Sequence, residues 1–222
     1  MNLFTRSASL FITIITPLFL IMTAINILIT PYFAWVEYHL PGFPEDTYGL
    51  TQFERIEMSK FAINYLRNQE GVEYLGDLTF RDGTPQYNER ELSHMVDVKV
   101  LVNQMIRFWY VSFAAIILIL IFSIYQGWRN EFLSGLLKGA YLTLGLIIAI
   151  LLAVFTNFNV LFTGFHRIFF EGSTWIFNYS DTLIRLFPLR FWQDAFIFVG
   201  GFTVLGAGLI ILFSPKLRAP QG

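Results

Sequence analysis

The 222-residue chain is 55% hydrophobic and only 14% charged, with a formal net charge of −1 and no cysteine. Soluble domains usually carry about 25% charged residues, so the deficit points to a lipid environment. The missing cysteines exclude disulfides, thiol nucleophiles and thiolate metal ligands, and the neutral balance without a basic tail excludes the electrostatic footprint of a nucleic-acid binder.

The apolar residues gather in four runs, about residues 10–31, 106–126, 139–157 and 193–213. Each approaches the roughly 20 residues that cross a hydrocarbon core as a helix with every backbone bond satisfied internally. The reading is a single all-α integral membrane domain over residues 1–222 with four transmembrane helices. Arg6 precedes the first run, as in a signal peptide, but the run is long for a cleaved segment and no small-x-small site follows, so a retained helix is expected. Pro17 is predicted to kink it.

Residues 34–103 are too many for a turn. Pro41-Gly42-Phe43-Pro44 opens the segment with a bend. A helix is predicted over 51–67, opened by a capping box of Thr51 and Glu54 and carrying an apolar face of Phe53, Ile56, Ile63 and Leu66. That face either packs on the rest of the segment or lies at the lipid interface beside a substrate entrance. Turn signals at Gly76-Asp77 and Arg81-Asp82-Gly83 predict a small hairpin over 71–87. Asn88 then caps a helix, with Glu91 reciprocating, and no proline or glycine interrupts the chain through Tyr125. One long helix is expected, its outer end carrying His94 and Asp97 on one face.

Residues 158–192 mix charge with bulky aromatics, from Phe165 and His166 through Trp175 to Arg185. Such a mixture suits a pocket that holds an apolar chain and a polar head. Ser180 is predicted to cap a short helix over 181–187, after which Pro188 redirects the chain into the fourth span.

Orientation follows from lysine and arginine near the span ends. Arg6, Arg129, Lys138, Lys216 and Arg218 face one acid, Glu131, on one side. The opposite segments are acid-rich or balanced: 34–103 holds twelve acidic and six basic residues, and 158–194 holds three of each. Both termini are therefore expected in the cytoplasm, with 34–103 and 158–192 outside as helical segments forming a cap or pocket. Trp35, Trp109, Tyr110, Trp175, Phe191 and Trp192 lie near the outer boundary, where amphipathic rings prefer to sit.

The three histidines, His39, His94 and His166, all fall on the outer side. His39 reads as structural. His94 and His166 sit beside acidic and basic groups, and an imidazole moves protons both ways near neutrality. They form a candidate base and acid pair, with Arg185, Arg167 or Lys99 available to stabilise an oxyanion. There is no GxSxG elbow or HExxH motif, and Ser93 and Ser173 sit in no recognised nucleophile turn. A two-histidine metal site completed by Asp97 or Asp181 is an alternative with nonspecific spacing. Polar residues inside the runs, such as Thr13, Thr23, Asn26, Thr143 and Asn157, are uncharged, which speaks against an ion path.

Three stretches carry a resemblance: His94-Met95-Val96-Asp97-Val98-Lys99, Phe165-His166-Arg167-Ile168-Phe169-Phe170-Glu171-Gly172-Ser173-Thr174-Trp175, and Asp181-Thr182-Leu183-Ile184-Arg185-Leu186-Phe187-Pro188 before Phe191-Trp192. Together they resemble the bacterial lipoprotein intramolecular transacylases over nearly the whole chain. The resemblance implies a multi-pass enzyme of the bacterial plasma membrane with an extracytoplasmic site. It would move the sn-2 acyl chain of a diacylglyceryl-modified lipoprotein to the α-amine of its N-terminal cysteine, giving a lyso-form, N-acylated product. The family's histidine pair matches His94 and His166. Asp97 and Asp181 are expected to orient the imidazoles and Arg185 to face the carbonyl oxygen or the peptide backbone. Tyr87, Glu91, Lys99, Arg167 and Trp175 are expected to line the substrate pocket. Diacylglyceryl lipoproteins and membrane lipid are the expected partners, with neither metal nor cofactor. The alternatives are another outer-leaflet lipid acyltransferase or deacylase, and a non-catalytic membrane or transporter subunit.

Overall fold

The structure is a computed structural model that describes residues 3–217. Arg218, counted above among the cytoplasmic charges, lies outside the described residues. Eight helices are present among them: α1 (Leu3–Leu28), α2 (Pro31–His39), α3 (Gln52–Arg67), α4 (Glu73–Gly76), α5 (Glu89–Tyr125), α6 (Arg129–Phe169), α7 (Thr182–Leu186) and α8 (Leu189–Phe213). The described residues form no sheet, only an isolated bridge between Thr79 and Pro85 where a hairpin was expected. Helices α1, α5, α6 and α8 are long and apolar enough to cross a membrane. Between 11% and 28% of each apolar window is buried, which leaves faces suited to lipid. The chain is an all-α, multi-pass membrane protein.

Two element boundaries differ from expectation for a physical reason. The first apolar run was read through residue 31, but α1 stops at Leu28 and Pro31 begins a separate helix. Proline lacks an N–H and fixes φ, which suits the first position of a helix and not its interior. The short helix α7 starts after Asp181, not Ser180.

The chain divides into two compact units. The first comprises the described residues of Met1–Ile27, Ile106–Phe155 and Ile197–Gly222. Its helices meet through small residues. A Cβ on Gly139 would lie 2.6 Å from the Thr16 Cβ, and one on Gly135 would lie 2.7 Å from the Ser9 carbonyl oxygen. The close approach lets Thr13 Oγ1 donate to the Gly135 carbonyl (3.2 Å) and Ser9 Oγ to that of Glu131 (3.1 Å). This is the small-xxx-small packing of membrane helices. Ile12, Ile15, Trp128, Phe132 and Leu133 form an apolar cluster in this unit. Trp109 Nε1 donates to Thr23 Oγ1 at 2.8 Å.

The second unit comprises Leu28–Met105 and Thr156–Phe196. Its core is Met58, Ala62, Tyr65, Leu75, Tyr87, Met95, Leu183 and Leu186. Thr51 and Glu54 form the expected capping box at the start of α3. On α3, Ile56 and Ile63 are buried, whereas Phe53 is 72% exposed and drops out of the expected apolar face. The five-residue α7 is too short to hold itself together and is anchored by side chains from three other helices. Tyr38 Oη donates to the Leu186 carbonyl (2.6 Å), Arg55 Nε to that of Arg185 (2.9 Å), and the Leu183 N–H donates to Glu91 Oε1 (2.7 Å).

Candidate active site

His94 lies one turn into α5. The turn before it is fixed by reciprocal bonds, Asn88 N–H to Glu91 Oε2 (2.8 Å) and Glu91 N–H to Asn88 Oδ1 (3.0 Å). The same Glu91 receives Leu183, so the start of α5 is locked to α7. His166 lies near the end of α6. That helix breaks at Asn157, where φ is −158° and ψ is 81°. The Asn157 side chain accepts the Val160 N–H (3.2 Å) and so restarts the helix that carries His166.

The two imidazoles meet. Their centroids are 6.0 Å apart, with 25° between ring planes. Phe162 packs on His166 at 4.1 Å and Trp175 at 5.0 Å. Phe170 and Phe177 lie against His94 at 4.9 and 5.4 Å. His94 is 7% and His166 8% exposed. Both precede or follow the uncharged cores of their helices. Burial pushes the His94 imidazole down to about 4, with the neighbouring His166 adding to the effect. Burial also lowers His166, less so because its Nδ1 bonds the Phe162 carbonyl at 2.8 Å. A carbonyl only accepts, so Nδ1 bears the proton and Nε2 keeps its lone pair. Two neutral imidazoles in an aromatic box, one with a fixed tautomer, can take and return a proton at neutral pH.

The other expected site residues fall in different places. Asp97 is exposed and makes no hydrogen bond or ion pair among the described residues, so it does not orient His94. Three residues further along a helix turns by about 60° from His94, which carries the carboxylate off the packed face. Asp181 Oδ2 accepts the Asn178 N–H (2.8 Å) and closes a turn without reaching an imidazole. Arg185 grips Asp46 through Nε (3.1 Å) and Nη2 (2.9 Å), with side-chain exposures of 12% and 2%, so its guanidinium is engaged by that carboxylate. Lys99 donates to Asn68 Oδ1 and the Glu70 carbonyl and lies over the Tyr65 ring. Arg167 is exposed. Glu91 serves the helix start and α7. Tyr87 is buried in the core beside α7, its hydroxyl without a partner. Trp175 alone of this set touches the histidine pair.

Sequence reasoning passed over Asp46, Arg55 and Phe162. Asp46 also accepts the Tyr48 and Leu50 N–H groups, at 3.2 and 2.7 Å, a local Asx pattern that the Asp-Thr-Tyr-Gly stretch signals. Phe162 stands one helical turn before His166 and was readable as its neighbour. Among the described residues no group of three or more His, Asp or Glu side chains is placed to hold a metal ion.

The fold and the paired imidazoles define a class: a multi-pass membrane protein with a buried, aromatic-lined histidine pair. The family model of the lipoprotein intramolecular transacylase Lit matches residues 10–192, and the chain belongs to that family. A protein of Aquifex aeolicus (strain VF5) that bears only the name "Uncharacterized protein" is 31% identical over 210 residues, covering 93% of this chain and 92% of the relative. The solved structure of the membrane integral lipoprotein intramolecular transacylase Lit from Bacillus cereus superposes with a TM-score of 0.68 at 19% identity, covering 98% of this chain and 97% of that one. A variant of the same protein with one histidine replaced by arginine gives a TM-score of 0.73 at 22% identity, covering 96% and 92%. These likenesses show a shared fold over nearly the full length. Family membership gives the chain an acyltransferase-type role in the membrane.

Proposed function

We propose that the protein transfers the sn-2 acyl chain of a diacylglyceryl-modified bacterial lipoprotein to the α-amine of the same lipoprotein's N-terminal cysteine. The observation that carries this reading is the buried pair His94 and His166, 6.0 Å apart. The neutral amine attacks the ester carbonyl. His166, with Nε2 unprotonated, is the better-disposed base for the proton the nitrogen loses. His166 becomes an imidazolium as it takes that proton and passes it to His94, which hands it on to the departing glycerol oxygen. The proton lost by nitrogen ends on that oxygen, and the pair returns to its neutral state. The C–N bond forms as the C–O bond breaks, giving an amide and a lyso-glyceryl group. Amine and ester arrive on one molecule, which removes the entropic cost of a second encounter. Neither metal nor cofactor enters this chemistry.

The site belongs on the extracytoplasmic side, where the lipoprotein's glyceride is anchored. Basic residues at the opposite span ends support this orientation, with both termini in the cytoplasm. The test is expression in a bacterium lacking lipoprotein N-acyl transfer, followed by mass spectrometry of N-terminal lipopeptides. The wild type should yield the N-acyl, lyso form, and His94→Ala and His166→Ala should accumulate in the membrane without yielding it. Acyl transfer found only on phospholipid would replace this reading with a different lipid enzyme.

A further inference from the structure

The geometry points to the indole N–H of Trp175 as the donor that stabilises the oxyanion formed on the substrate's ester carbonyl. This assignment rests on the acyl-transfer reading above and adds a catalytic residue to it. As the amine nitrogen bonds to the carbonyl carbon, the C=O π pair moves onto oxygen. The charge persists until the C–O bond to glycerol breaks and that oxygen leaves with its electron pair and a proton. Donors aimed at this developing charge in a dry site usually make the largest contribution to such catalysis.

The cations that sequence offered for this task are engaged elsewhere. Arg185 holds Asp46 with two bonds, Lys99 holds Asn68 and Glu70, and Arg167 is exposed. Trp175 differs on each point. Its ring lies 5.0 Å from that of His166, tilted by 35°. Its Nε1 is sealed from solvent and has no hydrogen-bond partner. An indole N–H can only donate, so no rotation or tautomer relieves it. Leaving such a group unpaired costs about 1–3 kcal/mol. It does not stand alone: Thr174 Oγ1, the next residue back, and His94 Nδ1 are also buried without partners. Orphaned atoms on His94 and on the Trp175 ring that packs on His166, with a third on the residue before Trp175, describe a polar set that lacks partners. An ester carbonyl is an acceptor without a proton of its own. A neutral donor also suits two imidazoles that must stay uncharged at rest, whereas a nearby guanidinium would add a buried charge.

The decisive variant replaces Trp175 with 3-benzothienylalanine, which keeps the bicyclic shape and stacking and exchanges only the N–H for sulfur. Steady-state kinetics on a synthetic diacylglyceryl lipopeptide in detergent would compare it with the wild type. We expect kcat to fall by about 10²-fold, the loss typical of removing one oxyanion donor, with KM and the pH profile unchanged. Trp175→Phe, which also loses ring area, should be at least as slow. A benzothienyl variant with kcat within about threefold of wild type, on the scale of that expected loss, would overturn the assignment, because packing alone would then account for Trp175. A shifted pH profile would also overturn it, since the indole would be acting through His166. A wild type that releases or moves the acyl chain but never N-acylates the peptide would sink the proposed function alone. The isostere's rate on that ester would still decide the donor. A wild type that turns over no ester sinks both.

Discussion

In the unit of residues 1–27, 106–155 and 197–222, most polar side chains bond to their own helix. Thr16 donates to the Ile12 carbonyl at 2.6 Å, Thr23 to Phe19 at 2.7 Å and Thr143 to Gly139 at 2.8 Å. Where α1 and α6 approach most closely, they do so at Gly135 and Gly139. In the unit of residues 28–105 and 156–196, polar groups bond across long sequence separations, as Tyr38 does to Leu186 and Arg185 to Asp46. The first pattern makes each helix self-sufficient, as a lipid solvent demands. The second makes several short elements depend on one another, which fixes side chains in three dimensions. The histidine pair belongs to the second unit, and the orphaned polar atoms beside it are what that precision leaves open.

If the two units divide labour in this way, substitutions should separate chemistry from stability. The largest effect is expected for His94→Ala and His166→Ala. Each should lower lipopeptide conversion by about 10²–10⁴-fold, the range for losing a general acid or base. Thermal stability should fall far less than conversion, because His94 has an orphaned nitrogen and His166 makes one backbone bond, although each truncation leaves space among the packed rings. A matched fall in stability and conversion would break the distinction.

Next in size is the Asp46–Arg185 pair. Truncating either partner leaves the other charge buried, and such losses run to about 3–5 kcal/mol. Asp46→Ala should therefore melt early and show reduced conversion through loss of folded protein. The double variant Asp46→Leu/Arg185→Met should recover much of the stability. Full recovery of conversion as well would confirm that Arg185 acts on structure; stable but inactive double variants would return it to the chemistry.

Gly139→Leu probes the other unit. With the Thr16 Cβ only 2.6 Å from a built Cβ, a large side chain must push helices apart. A cost of about 1–3 kcal/mol is expected from such overpacking, read as lower membrane accumulation and an earlier melt. The kcat of the protein that does fold should be unchanged. A kcat loss without a stability loss would show that the membrane unit tunes the site.

These contrasts also explain what the sequence disclosed. Asn88 with Glu91, and Thr51 with Glu54, are local pairs three residues apart, and such patterns can be read directly. So could the four apolar runs, because lipid imposes one rule on each. The α2 helix was hidden since apolar residues continue from Ile27 through Phe33, and only Pro31 marked its start. Asp97 and Asp181 were assigned from residue type and placement, but Asp97 is exposed and Asp181 closes the turn at Asn178. Arg185 looked free until its partner arrived from the 44–48 loop. Long-range pairing has no local signature, so the meeting of His94 with His166 was offered from residue type and shared side, and matched by the resemblance, before the fold brought them together.

The smallest expected effect concerns pH, and it distinguishes a dry imidazole pair from a solvated one. Burial lowers both histidines, His94 to about 4, so protonation favours the unfolded chain. Their contribution to stability is complete above the ordinary value of 6.5 and is lost as pH falls from there toward the folded values. The catalytic rate follows a different group. The attacking α-amine has an ordinary pKa of about 7.7–8.0 and must be neutral, while the imidazoles are already neutral well below that. The acid limb of kcat/KM should therefore belong to the substrate, falling about tenfold per pH unit below that value. Replacing the lipopeptide amine with a less basic nucleophile should carry the limb downward with it. A limb fixed between pH 6 and 7 for both substrates would mean that an imidazole titrates near its solution value, and that the aromatic box around the pair admits water.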